Sequence, residues 1–278
     1  MAAVTTEGTR LSPLPTPAGR AGLIGTLRSE FTKIRSVRST YWTLLVLLLI
    51  SIGAAISAGV ASHWSQTSPA DRATFDATGT SLAGLYFLGE LVIVVLGAMV
   101  ITSEYSTGMI RTSLTAMPRR GVLYSAKGIV FTGIALITAL VAAFIAFLLG
   151  QALLASTHDN ATWSQPNVLR AVIGSALYVT LCGLFAYGVG AILRHTAGAI
   201  TVLVALLFVI PILSNLLPSS WRNDVERWLP SSAGTAISST RGMPDQHLFS
   251  PWAQFAVFGI YTAVVLIAGF ILFRKRDA

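Results

Sequence analysis

Six apolar runs, at roughly 41–61, 82–102, 128–154, 170–193, 197–217 and 253–273, divide this chain of 278 residues. Each is close to the ~20 residues that carry an α-helix across the hydrocarbon core of a bilayer. A single aqueous core has no room for six such segments. Only 11% of the residues are charged, against about a quarter in ordinary soluble domains, and the mean hydropathy is +0.71. Within hydrocarbon every backbone N–H and C=O must be satisfied inside the protein, which leaves helices or a closed barrel. Apolar runs of this length, without strand-like alternation, select helices. The sequence therefore predicts an all-α integral membrane protein with a six-helix transmembrane domain over 41–273. The third run is longer than the hydrocarbon requires, so it should tilt or project.

The flanks read differently. Residues 1–20 are rich in Thr, Ser, Pro and Gly without apolar periodicity and are expected to be disordered. Over 21–38, Leu23, Ile24, Leu27, Phe31 and Ile34 recur at three- and four-residue spacing, while Arg28, Lys33, Arg35 and Arg38 avoid that stripe. This pattern predicts an amphipathic interfacial helix before the first span, carrying Phe31, Lys33, Arg35 and Arg38, with its arginines toward anionic headgroups. A short basic tail, 274–278, closes the chain.

The net charge of +8 resides in the connections between apolar runs, not on one polar domain, which argues for topology signals and against nucleic acid. Fourteen Lys and Arg residues fall before span one, between spans two and three, between four and five, and after six; five fall in the opposite connections. By the positive-inside rule both termini are expected on the cytoplasmic side. The opposite-side segment from Pro218 to Pro251 carries Trp221 and Trp228 and should form short helices near 221–229 and 231–240. Abundant Ala, Gly and Arg with only three lysines suggests a GC-rich bacterial genome, hence a bacterial plasma membrane.

Few residues carry recognisable chemistry. Cys182 is the one cysteine, so intrachain disulfides and cysteine-based metal sites are excluded. The four histidines are scattered, and no metal site is expected. None of Lys33, Lys127 and Lys275 follows a glycine, so no P-loop is present and any ATP hydrolysis must belong to another subunit. Glu90 is the one ionisable side chain well inside a span; a charge there costs about 2.5–3.5 kcal/mol on insertion scales. It is expected to face a transport pathway, to carry protons, or to sit neutral beside a hydroxyl. Gly183, Ala186, Gly188 and Gly190 form a small-residue face for helix packing, and Pro211 should kink span five. The loop after span two is polar, basic and compact, running from Ser103 to Arg120. Glu104 at the boundary, Gly108 four residues on and Arg111 three beyond would let a helix leave the membrane, bend and end near Pro118.

Here the sequence resembles the permease subunits of ABC-2 type transporters, in which a Glu, a Gly and then a basic residue follow the second span. Glu104, Gly108, Arg111 and the closing Pro118-Arg119-Arg120 match that pattern, with Lys127 opening the next span. Met109 departs from the threonine common after the glycine. The resemblance implies a coupling helix that docks on a separate ABC ATPase through Glu104, Tyr105, Gly108, Arg111, Thr112, Pro118, Arg119 and Arg120. It also implies ATP and Mg bound by that partner, no cofactor on this chain, a second permease copy or a related permease, and export of a hydrophobic or amphipathic substrate. The alternative is a secondary transporter that uses Glu90 as its proton carrier.

Overall fold

The computed structural model describes residues 22–65, 75–117, 119–155, 160–241 and 249–275. The expected disordered tail, Pro118 and the end of the basic tail lie outside the described residues. Helix α1, Leu23–Ser36, is followed by α2, Arg38–Ser65. Next come α3, Ala77–Ser106, and the short α4, Met109–Ala116. The long α5, Arg120–Leu154, leads to α6, Val168–Leu193, and α7, Thr196–Ser214. Two short helices, α8 (Ser219–Glu226) and α9 (Pro230–Ser238), precede α10, Pro251–Lys275. Six of these helices, α2, α3, α5, α6, α7 and α10, are long and apolar enough to cross a membrane, and no strand occurs among the described residues.

Helix α6 is the centre of the bundle, packed on α3, α5 and α10. The anticipated small-residue face explains how. A Cβ on Gly97 of α3 would lie 2.3 Å from the Gly183 carbonyl oxygen of α6, so the two backbones touch. With lipid as apolar as leucine, association of such helices rests on close van der Waals approach, which small residues permit. Gly188 lies in the same way against Val265 and Leu266 of α10.

Two spans depart from regular α geometry. In α7, residues 205–209 form a π turn just ahead of Pro211. Proline has no N–H for the carbonyl of Leu207 four residues back, and its ring would collide with that carbonyl; a widened turn relieves both. In α3 a second π turn covers Gly84–Gly89, immediately before Glu90. Hydropathy carries no signal for either.

The ends of the bundle are also defined. Tyr105 of α3 meets the Phe273 ring of α10 at 6.4 Å, and Arg194 donates to the Leu272 carbonyl, so the end of α10 lies beside the α3–α4 junction and the α6–α7 turn. Helix α1 packs on α5 at that same end. The opposite end is closed by α8 and α9. Helix α9 inserts beside α6, with Gly234 against the Tyr178 ring, and buries Pro230, Ala233 and Ile237. Asp76 fastens this end: it caps α3 by accepting from the Gly79 N–H at 2.9 Å, and it accepts from the Thr240 N–H at 2.8 Å and the Thr240 hydroxyl at 2.7 Å. Burial would raise the Asp76 carboxyl, but the bonds from Gly79, Thr240 and Ser239 outweigh it and hold the group below its usual value of 3.8. A lowered folded-state value means that the stabilisation is complete above the unfolded value and disappears as pH falls through the folded one. Asp76→Asn is accordingly expected to lower the melting temperature at pH 7, with the gap to wild type closing below about pH 4; a constant gap across that range would remove the ionised carboxylate from the account.

Candidate functional site

The loop after α3 is built around one backbone conformation. Gly108 has φ +71° and ψ 1°, the left-handed region in which a residue with a Cβ is strained by about 1–2 kcal/mol. That residue ends the membrane helix and redirects the chain into α4. Helix α4 is two-faced: Ile110 and Met117 are buried in a cluster with Tyr124, Tyr187 and Phe273, whereas Arg111, Thr112 and Thr115 face outward. Beneath it Tyr187 donates to the Tyr124 carbonyl at 2.8 Å, and Tyr124 donates to the Leu266 carbonyl at 3.2 Å. Helix α4 therefore rests on a hydrogen-bonded aromatic floor contributed by α5, α6 and α10.

Four charges meet beside this floor. Lys127 Nζ lies 2.6 Å from Glu30 Oε2 and 2.7 Å from Glu104 Oε1. Lys33 Nζ lies 2.8 Å from Glu30 Oε1 and 3.4 Å from Glu104 Oε1, and it donates to the Ser113 hydroxyl at 3.1 Å. The side chains of Glu30, Glu104 and Lys127 are 1%, 7% and 6% exposed. Two acids and two bases cancel, as charges taken out of water must. The members come from α1, α3, α4 and α5, so a single node joins the pre-membrane helix, both spans that flank the loop, and the loop helix.

Burial pushes the Glu30 carboxyl up, but the charge of Lys127, its hydrogen bond and the Lys33 contacts hold it below its usual 4.5. Burial lowers Lys33, yet the Glu30 hydrogen bond and the Glu104 charge raise it above 10.5. The contribution of Glu30 is thus lost only as pH falls below the carboxylate range, and that of Lys33 only as pH rises beyond the ammonium range. Across neutral pH both stay ionised.

Of the residues expected to form the coupling surface, Glu104 is buried in the node and Tyr105 is half-buried, with the Arg194 guanidinium 4.8 Å from its ring. Arg111, Thr112 and Arg119 are exposed, Arg120 is half-buried at the start of α5, and Pro118 lies outside the described residues. Of those expected on the interfacial helix, Phe31, Arg35 and Arg38 are exposed. Lys33 is not among the headgroup-facing cations: it turns into the node, because Glu30, one helical turn earlier, supplies an acid on the buried face. Sequence reasoning missed Glu30. Its signal was its place as the one acid in a basic helix, at the spacing that puts it on a face with Thr26 and Lys33. His195 caps α7 by accepting from the Gly198 N–H at 3.1 Å, and no group of metal-ligating side chains occurs among the described residues.

Glu90 lies in the middle of α3, 3% exposed, with the Cys182 thiol 3.6 Å from Oε1. It borders a cavity of about 270 Å³ between α3, α7 and the α8–α9 segment.

Six membrane-length helices, a basic pre-membrane helix and a short amphipathic helix leaning on a buried charge node define a multi-pass membrane protein of transporter layout. The sequence profile of a family described as ABC-2 family transporter protein matches residues 26–214, from α1 through α7. This chain belongs to the ABC-2 family of transporter proteins, whose membrane subunits are permeases. Among curated proteins, none matches it.

Proposed function

We propose that this chain is the permease subunit of an ATP-driven exporter in a bacterial plasma membrane. ATP and Mg are bound and hydrolysed by a separate ABC ATPase, which docks on the outward face of α4, with Arg111, Thr112 and Arg119 as contacts. Two permease copies, or this one and a related permease, enclose the path of a hydrophobic or amphipathic substrate. In this reading the end of the bundle that holds α1, α4 and Lys275 is cytoplasmic, in keeping with the bias of Lys and Arg, and α1 rests its exposed Leu23, Ile24 and Phe31 in the headgroup layer.

The observation that carries the reading is the charge node. A coupling element must transmit displacement, and a short helix on a free loop would absorb it. Here Ser113 of α4 accepts from Lys33 of α1, and Lys33 meets Glu104 of α3 and, through Glu30, Lys127 of α5, so a push on the outer face of α4 reaches α3 and α5 together.

The test is co-expression with the neighbouring genes, purification in detergent and assay of ATP hydrolysis, comparing wild type with Glu104→Ala and with residues 112–120 scrambled. An ATPase is expected to copurify with wild type, to be lost from the scrambled loop, and to remain with Glu104→Ala while losing at least tenfold in transport per ATP. If no nucleotide-binding subunit copurifies and proteoliposomes instead show proton-linked flux abolished by Glu90→Gln, the chain is a secondary transporter.

A further inference from the structure

The cavity beside Glu90 has a composition opposite to that of the chain. The whole sequence carries 19 basic and 11 acidic residues, yet the cavity wall contains Glu90 and Glu226 and no Lys, Arg or His. Glu226 has the Arg222 side chain 3.8 Å away at the surface of the bundle. Glu90 has no basic neighbour within ion-pair distance among the described residues; its polar neighbours are the neutral Tyr178 hydroxyl and the Cys182 thiol, a weak donor at 3.6 Å. A carboxyl group 3% exposed at the middle of a span thus borders the cavity with hydrogen-bonding neighbours but no counter-charge among the described residues.

The rest of the wall suits an organic cation. Phe87 and Phe208 pack edge to face in its wall, ring centres 6.1 Å apart, with Tyr86, Pro211 and Leu229 alongside. Aromatic faces attract cations, the more strongly where water is excluded. Phe87 and Phe208 each sit within a π turn, one on α3 and one on α7, and such turns are frequent at functional sites. The cavity, about 270 Å³, would hold a small ring or short alkyl body with one positive centre. An anion would meet two carboxyl groups in this wall, whereas a cation supplies the counter-charge that lets the buried Glu90 carboxyl ionise.

We propose that the Glu90 cavity is a binding site for an organic cation with an aromatic or apolar body, the positive centre against Glu90 and the body against the wall formed by Phe87 and Phe208. This deepens the exporter reading by naming the chemical class of its substrate, and it rests on that reading for the step from binding to transport.

The probe is phenyltrimethylammonium, with benzenesulfonate as an anion of similar size. Each is titrated calorimetrically into the full chain in lipid nanodiscs, with empty nanodiscs as the blank. Saturable binding of the cation alone is expected. Glu90→Gln, which keeps shape and removes the charge, should weaken it at least tenfold, and Glu226→Gln by a few fold. Ser231→Trp, which narrows the cavity from the α9 side without touching a charge, should abolish it. Melting curves separate loss of the site from loss of the fold, and Glu226→Gln and Ser231→Trp still test the site if Glu90→Gln does not fold. The proposal is overturned by equal binding of cation and anion, by unchanged affinity in Glu90→Gln, or by no saturable heat with wild type. Since no ATPase is present, these outcomes are independent of whether one copurifies: failure here with an intact ATPase complex removes the cation site and leaves the exporter.

Discussion

Replacing Lys127 by methionine is expected to destabilise the protein by about 3–5 kcal/mol, because it leaves two carboxylates side by side in a buried site with only the half-exposed Lys33 to balance them. The methionine fills the space of the lysine stem, so the loss is electrostatic and not a cavity. Thermal unfolding in detergent, followed by tryptophan fluorescence, measures it. Two companion variants fix the cause. Lys127→Arg should not rescue, since one compact ammonium lies 2.6 Å and 2.7 Å from oxygens of two different glutamates, a geometry that a planar fork does not reproduce. Glu104→Gln added to Lys127→Met should recover part of the loss, because it restores neutrality with Lys33 and Glu30. If the double variant melts no higher than the single one, the two residues do not act as a charge pair.

Gly97→Val should damage the fold comparably by another route. Its first side-chain carbon would stand 2.3 Å from the Gly183 carbonyl oxygen, and that atom belongs to the backbone of the central helix, which has no rotamer to change. Overpacking of a core by a few atoms typically costs about 1–3 kcal/mol. Here the two helices must separate along the seam, so a loss at or beyond the top of that range is expected, with rapid proteolysis of the detergent-purified variant as the readout. Gly133, with open space around its Cβ position, is the control and should tolerate valine without such a change.

Six spans were legible because hydropathy over about 20 residues is a one-dimensional property that the bilayer reads directly. The short helices after Pro218 and the bend at Gly108 were also within reach, since they depend on local residue types. What stayed hidden depends on pairings distant along the chain. Glu30 and Lys127 are 97 positions apart, and nothing in either neighbourhood announces the other. Asp76 likewise bonds to Thr240 across 164 positions. The charge node is the instructive case. A basic helix before a span reads as headgroup-facing, and that reading suits the exposed Arg35 and Arg38. It misplaces Lys33, because a single acid on the inner face is enough to reverse the direction of one lysine.

The bare contact between Gly97 and Gly183 has a mechanical consequence. The two backbones touch there, with Ile93 against Gly183 and Ile101 against Gly190 to either side, so a tilt of α3 on α6 turns about that contact as a beam does on a pivot. Glu90 and Glu104 each lie seven residues from Gly97, on opposite sides. At ~1.5 Å per residue, the two arms are each about 10 Å long. For a stiff α3 tilting about that point, the carboxyl group of the node and the carboxyl group of the cavity travel equal distances in opposite directions. The balance is even, with neither mechanical gain nor loss between its two pans.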